Sequence, residues 1–223
     1  MRTSTRRKLA YLGLAAIDTG LSASASPLAH RARFVTKPLL MPVLASSVLS
    51  SRRTALTAPV VLAEACGFVG DVALLSEARR PFFVGSAAFG VGHAAYVAGF
   101  WSQRSSASVL ASRRTRALAA LWAVAAPVNA VRAGRRDPAQ GAAVAAYSLS
   151  LTSMAIASGH LSPSLPPSAR TLAGLGGLAF LASDSLLGLR KFVLSDPPPA
   201  LEGFVMATYT GAQLLLAEAA TRA

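Results

Sequence analysis

Apolar segments of roughly 18–22 residues recur along the whole chain, which is the pattern of transmembrane helices. No polar stretch between them is long enough for a separate soluble domain. A helix suits such a segment because it satisfies its own backbone hydrogen bonds where no water is available. Only 14% of the residues are charged and 53% are hydrophobic, with a mean hydropathy of +0.48. Ordinary soluble domains carry about 25% charged residues. The expectation is a single integral membrane domain over residues 1–223, all-α and polytopic, folded as an eight-transmembrane-helix bundle and placed in the cell membrane.

The eight expected spans are Leu9–Ala25, Pro38–Leu49, Thr57–Leu75, Phe82–Trp101, Thr115–Val131, Gly141–His160, Arg170–Phe192 and Leu201–Ala220. The second is short for a full crossing and would tilt or thin the bilayer. Pro27, Pro81, Pro138 and Pro197–Pro199 fall between spans, where a missing backbone donor does little harm. Arg6-Arg7-Lys8 followed by an apolar run and Ala23-Ser24-Ala25 also resembles a cleavable export signal. Asp18 within that run argues against it. Lys and Arg are spread almost evenly over the loops of both sides, so the positive-inside rule does not orient the bundle.

The net charge is +13. Its carriers lie in short loops, among them Arg52-Arg53, Arg79-Arg80, Arg113-Arg114 and Arg135-Arg136. No aromatic residues interleave with them as on a nucleic-acid surface, so membrane lipids are the expected anionic partners and nucleic acid is not. The single cysteine, Cys66, excludes an intrachain disulfide and a multi-cysteine metal site.

Several ionisable and polar residues lie inside the apolar segments. An ionisable group at the bilayer centre costs about 2.5–3.5 kcal/mol on insertion scales, so it faces a protein interior or a wet cavity. Glu64, Gly67 and Asp71 share one helical stripe, as do Gly85, Phe89, His93, Tyr96 and Phe100. Gly177, Asp184, Gly188 and Lys191 align on the seventh span, and Glu202, Met206, Tyr209 and Gln213 on the eighth. Four helices thus offer polar stripes to a common interior, with Asp71 and Asp184 as its acidic groups. The plainer readings are also physical. Asp184 paired with Lys37 or Lys191 would simply fix helix positions. His93 and Tyr96 bonded to carbonyls would be packing residues, and Tyr209 and Gln213 would be interhelical glue worth about 0.6 kcal/mol each.

Other chemistries find little support. The sequence has no Gly-x-Ser-x-Gly elbow, no His-Glu-x2-His helix and no phosphate-cradling glycine loop. His30, His93 and His160 are far apart and lack acidic neighbours at ligand spacing, so no metal is expected. A Ser183, His93 and Asp71 triad can be written on paper, but serine is abundant here.

The ordered set of motifs resembles the lysoplasmalogenase-like (YhhN-type) family of integral membrane proteins. It consists of Lys37-Pro38-Leu39, Gly70-Asp71-Val72-Ala73-Leu74-Leu75, Phe82-x2-Gly85-x3-Phe89-x3-His93-x2-Tyr96-x3-Phe100, Phe180-x2-Ser183-Asp184-Ser185 and Tyr209-x3-Gln213-Leu214. The resemblance covers about residues 30–217; the first span and the Ser102–Arg116 loop match no motif, and none aligns around Asn129. It implies eight membrane helices and hydrolysis of the vinyl ether bond of lysoplasmalogens to a fatty aldehyde and a glycerophospho-alcohol. It also implies Asp71 and Asp184 as the catalytic pair and a lysophospholipid as the substrate.

Vinyl ether cleavage begins with protonation of the outer alkene carbon and passes through an oxocarbenium ion that water captures. One neutral acid and one carboxylate suffice, as in glycosidases, with no metal or organic cofactor. His93 and Tyr96 would orient water or tune a carboxylate, Tyr209 and Gln213 would stand nearby, and Lys37 would hold the substrate head group. Which aspartate is the acid stays open at this level. The competing reading is a proton-coupled transporter using the same buried carboxylates, although the internal repeats common in transporters are not visible. A member of the fold that has lost activity is a third reading, which retention of Asp71, Asp184, His93 and Tyr96 disfavours.

Overall fold

Prolines punctuate this chain at helix starts. Pro27, Pro138, Pro167 and Pro199 each open a helix, where the fixed φ suits the first turn and the missing N–H has no intrahelical acceptor to lose. The computed structural model describes residues 3–135 and 137–223, so Arg136 of the expected basic loop lies outside the described residues. Within them run α1 (Thr3–Ser22), α2 (Pro27–Leu49), α3 (Thr57–Ala73), α4 (Arg79–Ser102), α5 (Arg113–Gly134), α6 (Pro138–Ala157), α7 (Pro167–Gly188) and α8 (Pro199–Arg222). A π-helical turn, Leu189–Val193, continues α7. No strand occurs among the described residues; an isolated bridge joins Arg104 to Leu161.

Four helices are long and apolar enough to cross a membrane: α2, α4, α5, and α7 with its π turn. The other four carry more polarity or are shorter: α1 begins with Arg6, Arg7 and Lys8, and α3 has 17 residues. The fold is therefore all-helical, with at least these four elements suited to a bilayer.

Short connections make sequential neighbours pack as hairpins: α1 with α2, α3 with α4, α5 with α6, and α7 with α8. The α8 helix is central, touching α1, α2, α3 and α7. Its Met206, Tyr209, Ala212, Gln213, Leu216 and Ala220 are all buried. Conversely, Leu121, Val124, Val128 and Val131 leave much of α5 exposed along an apolar face suited to lipid. At one end of the bundle Asp137 caps α6 by accepting from the Ala139 amide (3.0 Å) and pairs with Arg79 on α4 at 2.6 Å. The Arg79 hydrogen bond holds the Asp137 carboxyl below its usual range.

The second span differs from its sequence reading. It starts at Pro27, not Pro38, and runs 23 residues straight through Pro38 and Pro42. Arg31, Arg33 and Lys37 make its first half look like a loop, but Arg33 and Lys37 are buried and turned inward onto acidic partners. Asp18, close to the expected end of the first span, is likewise internal: it is fully buried, accepts from Thr36 Oγ1 at 2.6 Å and lies 3.5 Å from Arg33.

The α5–α6 hairpin depends on a close backbone approach at Gly141. A Cβ there would sit 2.8 Å from both the Ala130 carbonyl oxygen and the Gly134 Cα, and backbone cannot swing aside as a side chain can. Gly141→Ala should destabilise the folded bundle by about 1–3 kcal/mol, the usual cost of overpacking. Thermal unfolding in detergent measures it; an unchanged midpoint would show that the hairpin opens freely.

Candidate functional site

The C-terminal ends of α3 and α7 and the N-terminal end of α8 meet at one end of the bundle, and a cavity of about 220 Å³ opens among them. Lys37, Asp71 and Tyr209, from α2, α3 and α8, form one cluster in its lining, and Tyr147 and Asp184, from α6 and α7, form another. The cavity has two characters. Near the helix ends it is lined by Ser76, Glu77, Arg190, Lys191 and Glu202, and along α5 and α6 by Leu118, Leu121, Trp122, Val144 and Leu151. Along α5 the lining runs from Asn129 back to Leu118, about 16 Å of helix.

Asp71 is 2% exposed. Its Oδ2 accepts from the Tyr209 hydroxyl at 2.8 Å, and its Oδ1 lies 3.6 Å from Lys37 Nζ. Gly67, one turn earlier, faces the same side chains: a Cβ there would stand in ordinary contact, 3.4 Å from Tyr209 Oη and 3.5 Å from Gln213 Nε2. Behind Tyr209 the donors form a line. Tyr96 donates to Gln213 Oε1 at 2.7 Å, and Gln213 Nε2 donates to Tyr209 Oη at 3.5 Å. Each hydrogen in the line points toward Asp71.

Asp184 stands in a different setting. Ser183 before it is fully buried and donates to the Val205 carbonyl at 2.9 Å, which pins α7 to α8 and turns Asp184 to the cavity. Its Oδ2 accepts from the Tyr147 hydroxyl. Lys37, one of its expected partners, belongs to Asp71 instead, while Lys191 lies over the Phe82 ring at 4.5 Å.

Of the residues singled out by sequence, Asp71, Asp184, Tyr209 and Lys37 line the cavity. Tyr96 and Gln213 stand behind its wall and reach it through Tyr209. His93 does not open onto it. That ring is buried, with Nδ1 3.3 Å from Ser150 Oγ and Nε2 without a hydrogen-bond partner among the described residues, wedged 5.0 Å from Phe180 and 5.2 Å from Tyr147. His93 packs against Tyr147 and Phe180 and reaches the site through Tyr147, whereas Phe89 of the same stripe lines the cavity. The paper triad of Ser183, His93 and Asp71 is not assembled, since Ser183 and His93 have other partners.

Two features escaped the sequence reading. Tyr147 carries no mark in an apolar helix, although Val144, Tyr147, Ser148, Leu151 and Thr152 fall at helical spacing on one cavity-facing stripe. Asn129 also lines the cavity. At the mouth, Arg33 lies 3.3 Å from Glu202 Oε1, and Arg190 lies 3.3 Å from Glu202 Oε2. With Asp18 they form a chain of alternating charge across α1, α2, α8 and the π turn. Among the described residues no three His, Cys, Asp or Glu side chains are grouped to hold a metal ion.

Neither a curated protein nor a solved structure matched the chain. A family profile did, across most of its length: with residues 32–220 matched, the chain belongs to the YhhN family, the family of lysoplasmalogenases.

Proposed function

We propose that this protein is a multi-pass hydrolase of the cell membrane, with all eight helices spanning, that cleaves the vinyl ether bond of lysoplasmalogen-type lysophospholipids. The observation that carries this is the pair of carboxylates lining one cavity, held in unlike surroundings. Asp71 faces a cation and a phenol donor, which is the setting of a carboxylate. Asp184 has a phenol and apolar walls, where a carboxyl group costs least when neutral. Asp184 is therefore assigned as the acid and Asp71 as the base.

The steps balance on these two groups alone. Asp184 gives its proton to the outer alkene carbon, leaving an oxocarbenium ion at the ether carbon. Water adds there while Asp71 takes one of its protons, forming a neutral hemiacetal. The hemiacetal hydroxyl returns a proton to Asp184 as the carbon–oxygen bond to glycerol breaks. Asp71 delivers its proton to the departing glycerol oxygen. Fatty aldehyde and glycerophospho-alcohol leave, and both aspartates are reset. The apolar arm along α5 and α6 suits a single alkyl chain, which places the vinyl ether near the carboxylates and the polar end of the lipid at the charged mouth.

Purified protein in detergent is expected to release aldehyde and glycerophospho-alcohol in equal amounts from a 1-alkenyl lysophospholipid, with chelator leaving the rate in place. The transporter reading keeps one specific support: Glu64 is fully buried, with neither carboxyl oxygen hydrogen-bonded among the described residues. No aldehyde, together with proton-coupled solute flux in vesicles, would replace the hydrolase with that reading.

A further inference from the structure

We infer that Arg190 and Lys191, on the π turn after α7, bind the phosphate of the single-chain lipid at the cavity mouth, an assignment that rests on this cavity being the substrate site. Arg190, Lys191 and Phe192, consecutive on the π turn, all line the cavity. Two adjacent cations thus stand among its lining residues, and such π segments recur at functional sites. Arg190 lies six residues beyond Asp184, about 9 Å of helix. That is a short reach, as is the one from the first to the third glycerol carbon.

The charges at the mouth permit this use. Lys37, the other cation on the cavity wall, is held by Asp71 at 3.6 Å. Arg190 contacts Glu202 through Nε, and its two Nη groups are the fork that suits a phosphate. Glu202 also has Arg33 at 3.3 Å, so turning Arg190 toward a ligand does not strand a buried carboxylate, the usual obstacle to recruiting a paired arginine. Lys191 is held over the Phe82 ring at 4.5 Å, beside the opening. With the other arm of the cavity apolar, an amphiphile can enter in one sense only, phosphate outward.

Binding can be read without catalysis. Trp122 lines the cavity, whereas Trp101 lies under Arg104 at the far end of α4. In a Trp101→Phe background Trp122 is the remaining tryptophan and reports occupancy by fluorescence. The probes are a saturated 1-alkyl lysophosphocholine and the 1-alkyl glycerol of equal chain length, neither of which has a vinyl ether to cleave. The unsubstituted pair should favour the phosphate-bearing ligand. Arg190→Gln and Lys191→Gln should each weaken that ligand about 10–100-fold, the size of one charge-assisted hydrogen bond, and together bring the two ligands to near parity. Arg190→Lys and Lys191→Arg should retain most of the preference, which a merely structural role would not require. Thermal unfolding of each variant identifies any that fail to fold, and the charge-retaining pair carries the test in that case.

A phosphate preference that survives both glutamine changes would overturn the assignment, as would equal weakening of both ligands. Inorganic phosphate should not compete; competition at matched concentration would move the site to a soluble anion and also overturn it. Phosphate preference together with no cleavage of alkenyl lipid would support this subsite and remove only the proposed reaction.

Discussion

Asp184→Asn and Asp71→Asn are each expected to lower aldehyde release by about 10²–10⁴-fold, the scale of a lost general acid or base. The two losses should differ in their side effects, because the two aspartates have different neighbours. Asp184 accepts from Tyr147, and an amide carbonyl in its place still accepts, so Asp184→Asn should fold and melt like the parent. Asp71 is the partner of Lys37. Replacing it with Asn leaves a buried ammonium without an anion, and the melting temperature should fall with the activity. Adding Lys37→Met to Asp71→Asn should restore stability but not turnover, which separates fold from chemistry. Full activity in both single variants would refute the two-carboxylate mechanism. His93→Ala should cost much less, since that ring meets Tyr147 and Phe180 and not the cavity.

The second large effect is on stability. Arg33 is buried between Asp18, at 3.5 Å, and Glu202, at 3.3 Å. Arg33→Leu should destabilise the bundle by about 3–5 kcal/mol, because removing one partner of a buried ion pair leaves the other uncompensated. For a chain of this size that corresponds to a fall in melting temperature on the order of 10 °C. The deficit should arise chiefly at Asp18, since Glu202 keeps Arg190. Asp18→Leu in the same chain should therefore recover most of it, as buried ion pairs are often replaced by apolar residues at little cost. The Thr36 hydroxyl then turns to the Ala32 carbonyl, 3.5 Å away. Additive losses in the double variant would show that Arg33 and Asp18 are not coupled.

Neither residue was visible in this role before folding. Asp18 stood in the first apolar run only as an argument against an export signal, and Arg33 fell in what looked like a loop before Pro38. Each is the other's reason for being buried, and hydropathy scores them separately as polar. The same holds for Tyr147: its importance is that the packing of α6 against α7 brings it onto Asp184, which nothing in the sequence of α6 records. His93 shows the converse case. Its helical stripe with Phe89 and Tyr96 is buried as the spacing implies, but a stripe does not say which neighbour it will face.

What the sequence by itself determined is therefore what each helix carries alone. Runs of apolar residues, prolines at first turns and polar stripes at helical spacing located eight helices, most within a few residues of their ends, and put Asp71, Asp184, Tyr209 and Gln213 on inward faces. Those properties depend on residues one to seven positions apart. Tertiary structure alone decided the pairings: Lys37 with Asp71 and not Asp184, Tyr147 with Asp184, Glu202 between two arginines, and His93 behind the wall. The reason is physical. A buried charge or phenol is stabilised by whichever complementary group the packing of two helices brings within about 4 Å, and that distance is a property of the pair that no single helix contains.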